Sequence, residues 1–472
     1  PRSCTRLKLL VASSSRTRTA ASRVKSSRSP GSPQSGTGSS CTLFSVRAVP
    51  QRQSSVTSTP CAASPSASAS WCSVCPSVSG TRTDGATIST RTRPEAERPL
   101  LGVLPSASVA RIGVICDREF LKPFDPRVWK EAITLVEAGH EVEVITPHHE
   151  TIIEELDGIR VICCRVNRFP FTTALRLFRA ALRGGYDLLH CHEIDPLAYS
   201  LLLRPLTGSP IVWDCHEYYV PMKRELQGPL AGALVQLLFS IAVPRTDGVV
   251  TVDRKLVRLL GRWKAAIALP NYPRTADFAV GAPVLTDGIP RIIYAGSLTT
   301  ARGIRKTLHA FRRLSERIEA ELLVAGGFHD RELEAWCRDY CDRHGLRVEW
   351  LGWVDHRELV GVLQGCQVGL SLLQPIPRYE RAMPTKIFEY MLCGLPVLAS
   401  QSPVLRKFID RIGCGVTVDS TDPDAIAAAM EALLSSPDRQ AMALRGQRIA
   451  KRCFTWEVRQ GRLLALYARL LA

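Results

Sequence analysis

The residues from Pro384 to Ser400 combine a possible helix start, an acidic side chain and a tight exit into an apolar strand. Thr385 can cap this helix, and Gly394 would end it. Glu389 falls in the first turns, where the helix dipole and free N–H groups favour an anion. A carboxylate there suits a bidentate grip on a ribose diol, although a solvated helix glutamate is the simpler interpretation of Glu389 taken alone.

A second candidate segment lies where the predicted strand 291–296 turns into a helix. A glycine at such a turn lets backbone N–H groups approach phosphates, and a nearby cation completes the neutralisation. Here Gly296 is followed by Ser297, and Arg302 stands just before Gly303. Without further support, an exposed loop arginine is the better interpretation of Arg302.

Two clusters of histidine and acid follow apolar strands in the first half of the chain, within 189–193 (LHCHE) and 212–217 (VWDCHE). Strands of a parallel sheet end at one rim, so both clusters should meet there. Metal binding is the tempting hypothesis. Neither cluster has the His-x-x-x-His spacing of a helical metal site, so we predict no metal.

The elements that must position these residues alternate between strand and helix from Ala110 onward. Apolar strand candidates are 111–116, 141–146, 159–163, 188–191 and 211–213, then 291–296, 321–327, 348–351, 368–372 and 396–399. Such alternation predicts parallel sheets covered on both faces. We predict two doubly wound α/β domains at 108–280 and 285–455, and an amphipathic last helix, 456–472, that returns to the first domain.

From about Arg111 to its end, roughly three quarters of its length, the chain resembles the retaining GT-B glycosyltransferases of family 4. The resemblance implies two facing Rossmann-like domains with the site in the cleft between them. In that family the helix carrying Glu389 holds the nucleotide ribose of an activated sugar. The usual motif has two glutamates separated by seven residues, whereas here Arg381 occupies the first position and Glu380 is displaced by one. Three alternatives follow for the missing glutamate: Arg381 takes its place, Glu380 takes its place, or the donor sugar is held differently.

The same resemblance assigns roles at the other two segments. The family usually has Gly-Arg at the turn and Lys-Gly about five residues on; this chain has Gly296-Ser297 and then Arg302. We therefore predict that Arg302 grips the donor diphosphate, with Lys386 as a second cation. The family's post-strand histidine contacts the reacting sugar, and this role falls on His216.

Further candidates surround His216. Glu217 and Asp214 are predicted to orient its ring, and a satisfied sheet-edge histidine is the alternative. Some family members carry an Asp-x-Arg-Val element like 125–128. Arg127 in that element, together with His192, is a candidate for contacting a phosphate or the acceptor. A buried structural ion pair is the alternative for Arg127.

The positive charge of the chain is concentrated at its beginning. The whole chain has a formal charge of +17, but residues 1–100 hold 14 basic against 3 acidic residues and 24 serines. The remainder is close to balanced, which argues against nucleic-acid binding. We predict that 1–105 is disordered. A misassigned start, a basic tail for anionic partners and a transit peptide are the open interpretations.

Cysteines and apolar runs indicate the environment. Five of the 16 cysteines lie in the first hundred residues, and the other eleven show no paired CxxC spacing, so we expect a reduced, cytoplasmic protein. The apolar run 230–243 is too short to span a bilayer and is predicted to be a core or an interfacial helix. Residues 171–183 place three arginines on one helical face, which would suit peripheral contact with an anionic membrane; a plain surface helix is the alternative.

Together these observations predict an enzyme that moves a sugar from a nucleotide-diphosphate donor to an acceptor hydroxyl, with retention of configuration. No cofactor and no metal are expected, because helix N-termini and cations would hold the diphosphate. The acceptor implied by the resemblance is a glycan or a lipid-linked glycan. A nucleotide-sugar-binding protein without transfer activity and a nucleotide-sugar epimerase of the same fold are the alternatives.

Overall fold

The computed structural model describes residues 109–121, 124–166, 170–261, 266–278 and 288–472. The predicted disorder of 1–105 therefore lies outside the described residues. All the described residues belong to one compact unit. They form two sheets, each made by one half of the chain.

The first sheet has eight strands in the order β3-β4-β2-β1-β5-β6-β7-β8, and every pairing is parallel except that of β3 with β4. Its strands are β1 (Arg111–Ile115), β2 (Glu141–His148), β3 (Ile152–Leu156), β4 (Ile159–Arg165), β5 (Leu188–His192), β6 (Ile211–Cys215), β7 (Gly248–Thr251) and β8 (Ala266–Ala268). The helices of this half are α1 (Pro126–Glu137), α2 (Pro170–Arg183), α3 (Ile194–Thr207), α4 (Tyr219–Gln227), α5 (Pro229–Ala242) and α6 (Arg254–Leu260).

The second sheet has six parallel strands in the order β11-β10-β9-β12-β13-β14. Its strands are β9 (Arg291–Ala295), β10 (Glu321–Ala325), β11 (Val348–Gly352), β12 (Val368–Ser371), β13 (Val397–Ser400) and β14 (Gly415–Val418). Its helices are α7 (Ile304–Ser315), α8 (Arg331–Arg343), α9 (His356–Gln364), α10 (Thr385–Leu392), α11 (Pro403–Ile412), α12 (Pro423–Ser435) and α13 (Arg439–Cys453), followed by α14 (Glu457–Leu471).

Both sheets are buried on two faces, which explains their continuous apolar strands. In β1, Ile112 and Val114 join a core cluster with α1 and α14, whereas Ile115 joins a second cluster with α2, α3 and α5. Strand order reverses between β1 and β5, and again between β9 and β12. Ligands of open α/β sheets bind at such switch points, beyond the carboxyl ends of the strands.

The last helix leaves the second half and packs on the first. Leu463, Leu466 and Tyr467 of α14 are buried in the cluster that contains Ile112. Trp456 donates from its indole Nε1 to Thr134 Oγ1 at 2.8 Å and from its backbone N–H to the Pro273 carbonyl at 2.9 Å. The two halves are therefore joined by this helix as well as by the connection before β9.

Four strands, β3, β7, β8 and β14, were not among the predicted strands. Strand β3 is antiparallel to its neighbour, because the short turn around Asp157 and Gly158 brings the chain straight back. Helix α5 covers the apolar run that was predicted to be a core or an interfacial helix, and the exposure of Leu230, Leu234 and Leu237 argues against the core alternative.

Candidate functional site

A buried ion pair stands at the carboxyl end of the first sheet. Arg127 donates to Asp214 twice, from Nε at 2.7 Å and from Nη2 at 2.9 Å, and from Nη1 to the Leu269 carbonyl at 2.8 Å. Asp125 caps α1 by accepting from the backbone N–H groups of residues 127 and 128, which sets the start of the helix and the direction of Arg127. The structure thus places Arg127 in the structural ion pair that was its alternative interpretation.

Each member of this pair keeps the other ionised, although both are buried. Burial alone would raise the pKa of Asp214, but Arg127 and His216 hold it well below its ordinary value. Burial alone would also lower the pKa of Arg127, but Asp214 and Glu131 raise it above its ordinary value. Both groups are charged at neutral pH, and their bidentate geometry is the strong form of such a contact.

His216 lies at the rim beside this pair, with about 14% of its side chain exposed. Its Nδ1 is 3.1 Å from Glu193 Oε1, and its Nε2 is 3.3 Å from Asp214 Oδ2 and 3.1 Å from Nδ1 of His192. Burial opposes the charged ring, but the two carboxylates outweigh burial and raise the pKa of His216 to about 10. The ring is therefore positively charged at neutral pH.

Beneath His216 lies a buried histidine pair that has no direct access to solvent. His192 and His190 are both fully buried, and His190 Nδ1 is 2.8 Å from the hydroxyl of Tyr467 on α14. Burial lowers the pKa of His190 to about 4, so this ring is neutral. The His192 ring is directed at Glu131 and His216 and not at the rim. Its predicted contact with a phosphate or an acceptor stays a prediction.

One group of residues here has the composition of a metal site. Glu131, His190, His192 and Asp214 each offer a ligand atom, and these atoms lie within 4.8 Å of one another. Asp214 is already engaged by Arg127 on both oxygens, and the imidazolium of His216 stands 3.3 Å from one of them. These two positive charges weaken the attraction of Asp214 for a divalent cation, whereas Glu131 has no hydrogen-bond partner among the described residues; the expectation of no metal stays a prediction.

The second half contributes a glycine turn flanked by two cations. Gly296 follows β9 with φ of 116°, a backbone conformation that favours glycine. A Cβ placed on Gly296 would lie 3.7 Å from Nη1 of Arg302 and 3.8 Å from Nζ of Lys386. The side chain of Thr299 accepts from the Arg302 N–H at 3.2 Å, and the Tyr294 hydroxyl donates to the Arg302 carbonyl at 3.1 Å, so the loop that carries the arginine is held in place.

Lys386 is the buried member of this cation pair. Its Nζ lies 4.2 Å from the ring centre of Tyr294, and it has no hydrogen-bond partner among the described residues. Burial and the charge of Arg302 lower the pKa of Lys386 to about 7, although Glu389 opposes this shift. A buried ammonium that lacks a hydrogen-bond acceptor favours the binding of an anion, because the anion would supply that acceptor.

Helix α10 places Glu389 next to these cations. Tyr390 fixes the helix on the second sheet, because its hydroxyl accepts from the Ala295 N–H at 3.0 Å and donates to the Leu370 carbonyl at 3.2 Å. Glu389 is half-buried and acts electrostatically on Lys386 and, across the two halves, on Lys130 of α1. The structure thus brings together Gly296, Arg302, Lys386 and Glu389, with Ser297 half-buried in the same turn.

The loop before α10 faces the His216 segment from the second half. Loss of solvent and Glu193 raise the pKa of Glu217, and Arg378 lowers it from across the cleft. Burial and Asp253 raise the pKa of Tyr218, and Arg381 opposes that rise. Arg381 and Glu380 are both exposed on this loop, so either can reach into the cleft, and the choice between them stays a prediction.

Sequence reasoning did not single out Glu193, which accepts the His216 contact and has φ of 73°. A glutamate in the left-handed region is uncommon, and such strain is concentrated at functional sites. Asp117, after β1, was also missed; burial and Glu193 raise its pKa to about 7. Glu193 ends the LHCHE cluster and so could have been found, but nothing in the sequence signals the backbone strain.

The high pKa of His216 predicts a pH-dependent contribution to stability. A raised pKa stabilises the folded state fully below the ordinary value of 6.5, and this contribution is lost as the pH rises to about 10. Urea unfolding of the wild type and of His216→Gln should therefore show a gap that shrinks between pH 6 and pH 10, by roughly 3–5 kcal/mol. A gap that stays constant over this range would contradict the imidazolium assignment.

Comparisons with known proteins agree with this architecture. Residues 126–272 match the glycosyl transferase 4-like domain, and residues 289–436 match the glycosyl transferases group 1 model. The phosphatidyl-myo-inositol mannosyltransferase of Mycolicibacterium smegmatis is 25% identical over 379 residues, covering 76% of this chain and 93% of that protein. The D-inositol 3-phosphate glycosyltransferase of Xylanimonas cellulosilytica is 30% identical over 185 residues, which cover 38% of this chain and 42% of that protein.

Solved structures show the same fold. Sucrose-phosphate synthase from Thermosynechococcus elongatus superposes with a TM-score of 0.62 at 20% identity, covering 76% of this chain and 99% of that one. HepE from Anabaena in complex with UDP-glucose superposes with a TM-score of 0.59 at 13% identity, covering 76% and 100%. These findings confirm the predicted pair of Rossmann-like domains and the predicted family. The chain belongs to the group 1 glycosyltransferases, family 4 of the GT-B enzymes.

Proposed function

We propose that this glycosyltransferase moves a hexosyl group from a nucleotide-diphosphate sugar to an acceptor hydroxyl, with retention of configuration and without a metal. The observation that carries the proposal is the convergence of Arg302 and Lys386 on the Gly296 turn, next to Glu389. A nucleoside diphosphate needs these partners: cations and backbone N–H groups for the phosphates, and a carboxylate for the ribose.

The mechanism follows from the charges. The bond between the sugar's anomeric carbon and the diphosphate oxygen breaks, and negative charge develops on the departing phosphate. Arg302 and the ammonium of Lys386 stabilise this charge, and a half-buried site strengthens their effect. The acceptor hydroxyl forms the new bond to the anomeric carbon and passes its proton to the departing phosphate oxygen, which has gained the negative charge. His216 is already protonated, so its role is an electrostatic contact with the sugar and not removal of that proton.

Relatives and fold neighbours support the substrate classes. HepE has been solved with UDP, with UDP and glucose, and with UDP-glucose, and a relative named phosphatidyl-myo-inositol mannosyltransferase covers most of this chain. A nucleotide-sugar donor and a glycan or lipid-linked acceptor are therefore the substrates we propose. The exposed Arg378 and Arg381 face the His216 segment, where the acceptor would enter.

The donor site is tested by binding and hydrolysis of UDP-, GDP-, ADP- and dTDP-sugars. Arg302→Ala and Glu389→Gln should each weaken binding of the preferred donor at least tenfold, because each removes a charged hydrogen bond worth about 1.5–3 kcal/mol. Arg312→Ala is the matched control, since Arg312 is exposed on α7, the helix that follows Arg302, and pairs at the surface with Glu316. Failure of every donor to bind the folded wild type would contradict the proposal. Binding without transfer to any acceptor would favour a nucleotide-sugar-binding protein.

The low pKa of Lys386 gives a second prediction. Donor affinity should fall as the pH rises above about 7, since the free enzyme loses the ammonium that the phosphates need. Lys386→Arg keeps its charge throughout this range and should flatten the profile between pH 6.5 and 8.5. Parallel profiles for the two proteins, measured by calorimetric titration, would show that Lys386 does not contact the phosphates.

Metal independence and stereochemistry need separate measurements. Dialysis against a chelator should leave transfer intact, because cations of the chain occupy the place of a metal at the diphosphate. A complete loss that Mg²⁺ reverses would refute this part of the proposal. Retention is read from the anomeric proton signal of the first product formed from an α-linked donor, which should also be α; a β product would show inversion.

A further inference from the structure

Helix α5 presents a row of leucines to solvent. Leu230, Leu234, Leu237 and Ile241 are exposed by 73, 59, 56 and 40%, at the spacing that places side chains on one side of a helix. The helix contains no charged residue at all. Its opposite side is also apolar, with Phe239 and Ala242 buried, and the polar residues of α5 are limited to Gln236 and Ser240 along one flank. A helix at the surface of a soluble domain ordinarily turns polar residues outward.

The neighbouring helices extend this row into a face. Helices α2, α3, α4 and α5 bury their inner sides in one core cluster on one side of the first sheet, so their outer sides point away from it together. We call this outer surface the α2–α5 face. Of the 18 exposed large hydrophobic residues in the described ranges, ten lie on it: Phe171, Leu175, Leu182, Leu202, Leu206, Leu226, Leu230, Leu234, Leu237 and Ile241. Contiguous exposed apolar surface of this kind marks an interaction site.

The charges on the same face are mostly positive. The basic residues are Arg176, Arg179, Arg183, Arg204, Lys223 and Arg224 on the four helices, and Arg245 in the turn after α5. Against these seven stand three acids: Asp195 and Glu225 on the four helices, and Asp247 just after Arg245, which pairs with Arg204 at 2.7 Å. The face therefore combines exposed apolar side chains with a surplus of positive charge. A partner must contact the apolar side chains and also supply negative charge.

We propose that the α2–α5 face docks on the surface of an anionic lipid bilayer. Leucines enter the boundary between headgroups and acyl chains, while arginines remain at the level of the lipid phosphates. A second copy of this chain fits less well, because a two-fold interface would set the two positive faces against each other. The face does not insert across a bilayer, since none of the described helices is long and apolar enough to cross a membrane.

The face adjoins the candidate site. Helix α3 begins directly after Glu193, and α4 begins two residues after Glu217, so both helices start at the rim that holds His216. A bilayer in contact with these helices would lie beside the acceptor side of the cleft. Docking is inferred from the exposed leucines and the positive charge of the face alone. A failure of the proposed transfer reaction would therefore leave it unaffected.

Flotation of the full chain with vesicles tests the proposal. The probes are neutral phosphatidylcholine vesicles and vesicles that contain about 40% phosphatidylglycerol, at low and at high salt. Binding should require the anionic lipid and weaken as the salt increases. The double variant Leu234→Gln and Leu237→Gln should bind at least tenfold more weakly, because two apolar side chains no longer enter the bilayer. Circular dichroism and thermal melts check that the variant is folded.

The matched control is Leu444→Gln with Val458→Gln, which makes the same kind of change at exposed apolar residues of α13 and α14, helices that do not belong to the core cluster beneath the α2–α5 face. This control should bind vesicles like the wild type. Equal binding by the Leu234/Leu237 double variant would place the attraction elsewhere, for example in the basic residues 1–100, and would overturn the proposal. Equal binding to neutral vesicles would overturn its electrostatic part. A concentration-dependent dimer that the double variant abolishes, with no vesicle binding by the wild type, would assign the face to self-association instead.

Discussion

The ion pair between Arg127 and Asp214 is the contact on which the first half of the site depends. It joins α1 to β6, and through the Leu269 carbonyl it also holds the chain that leads to the second half. Removing one partner of such a pair leaves an isolated buried charge, at a cost of about 3–5 kcal/mol. Asp214 in turn keeps His216 charged, so the electrostatic character of the rim follows from a contact below it.

The two halves carry complementary charge at their facing rims. The first half presents Glu193, Glu217 and a histidine held between carboxylates, whereas the second half presents Arg302 and Lys386 around a glycine turn. This division suits a reaction in which an anionic leaving group stays with the second half while a hydroxyl-bearing acceptor approaches the first. Helix α14 holds the two halves together. Trp456, just before this helix, and Tyr467 within it are both buried against the first half.

Much of the fold could be predicted from the local pattern of apolar residues in the sequence. Buried parallel strands read as continuous apolar runs, and therefore β1, β2, β9 and β10 were predicted close to their observed bounds. Strand β3 was missed because it is a largely exposed edge strand, with the pattern Ile-Ile-Glu-Glu-Leu. At the site, Glu389, Arg302 and Lys386 were predicted from a helix start and a glycine turn together with the family resemblance; the structure brings them together, and their roles stay a prediction. Glu193 and Tyr467 were missed, because their contacts join residues that are distant in the sequence.

Sequence pattern was sufficient to predict the fold class and the positions of the glycine turns, since these depend on residue type and short-range spacing. The side chains that would bind the donor were predicted only together with the family resemblance. The pattern has a limit at contacts between distant segments. It did not decide between the two interpretations of Arg127, which differ only in whether a carboxylate from β6 reaches it. Nor did it decide whether the run 230–243 was core or interface, because an uncharged amphiphile of 14 residues fits both. Only the packing of α5 on α3 and α4 leaves its leucines exposed, since burial is a property of neighbours that the chain brings together and not of the helix alone.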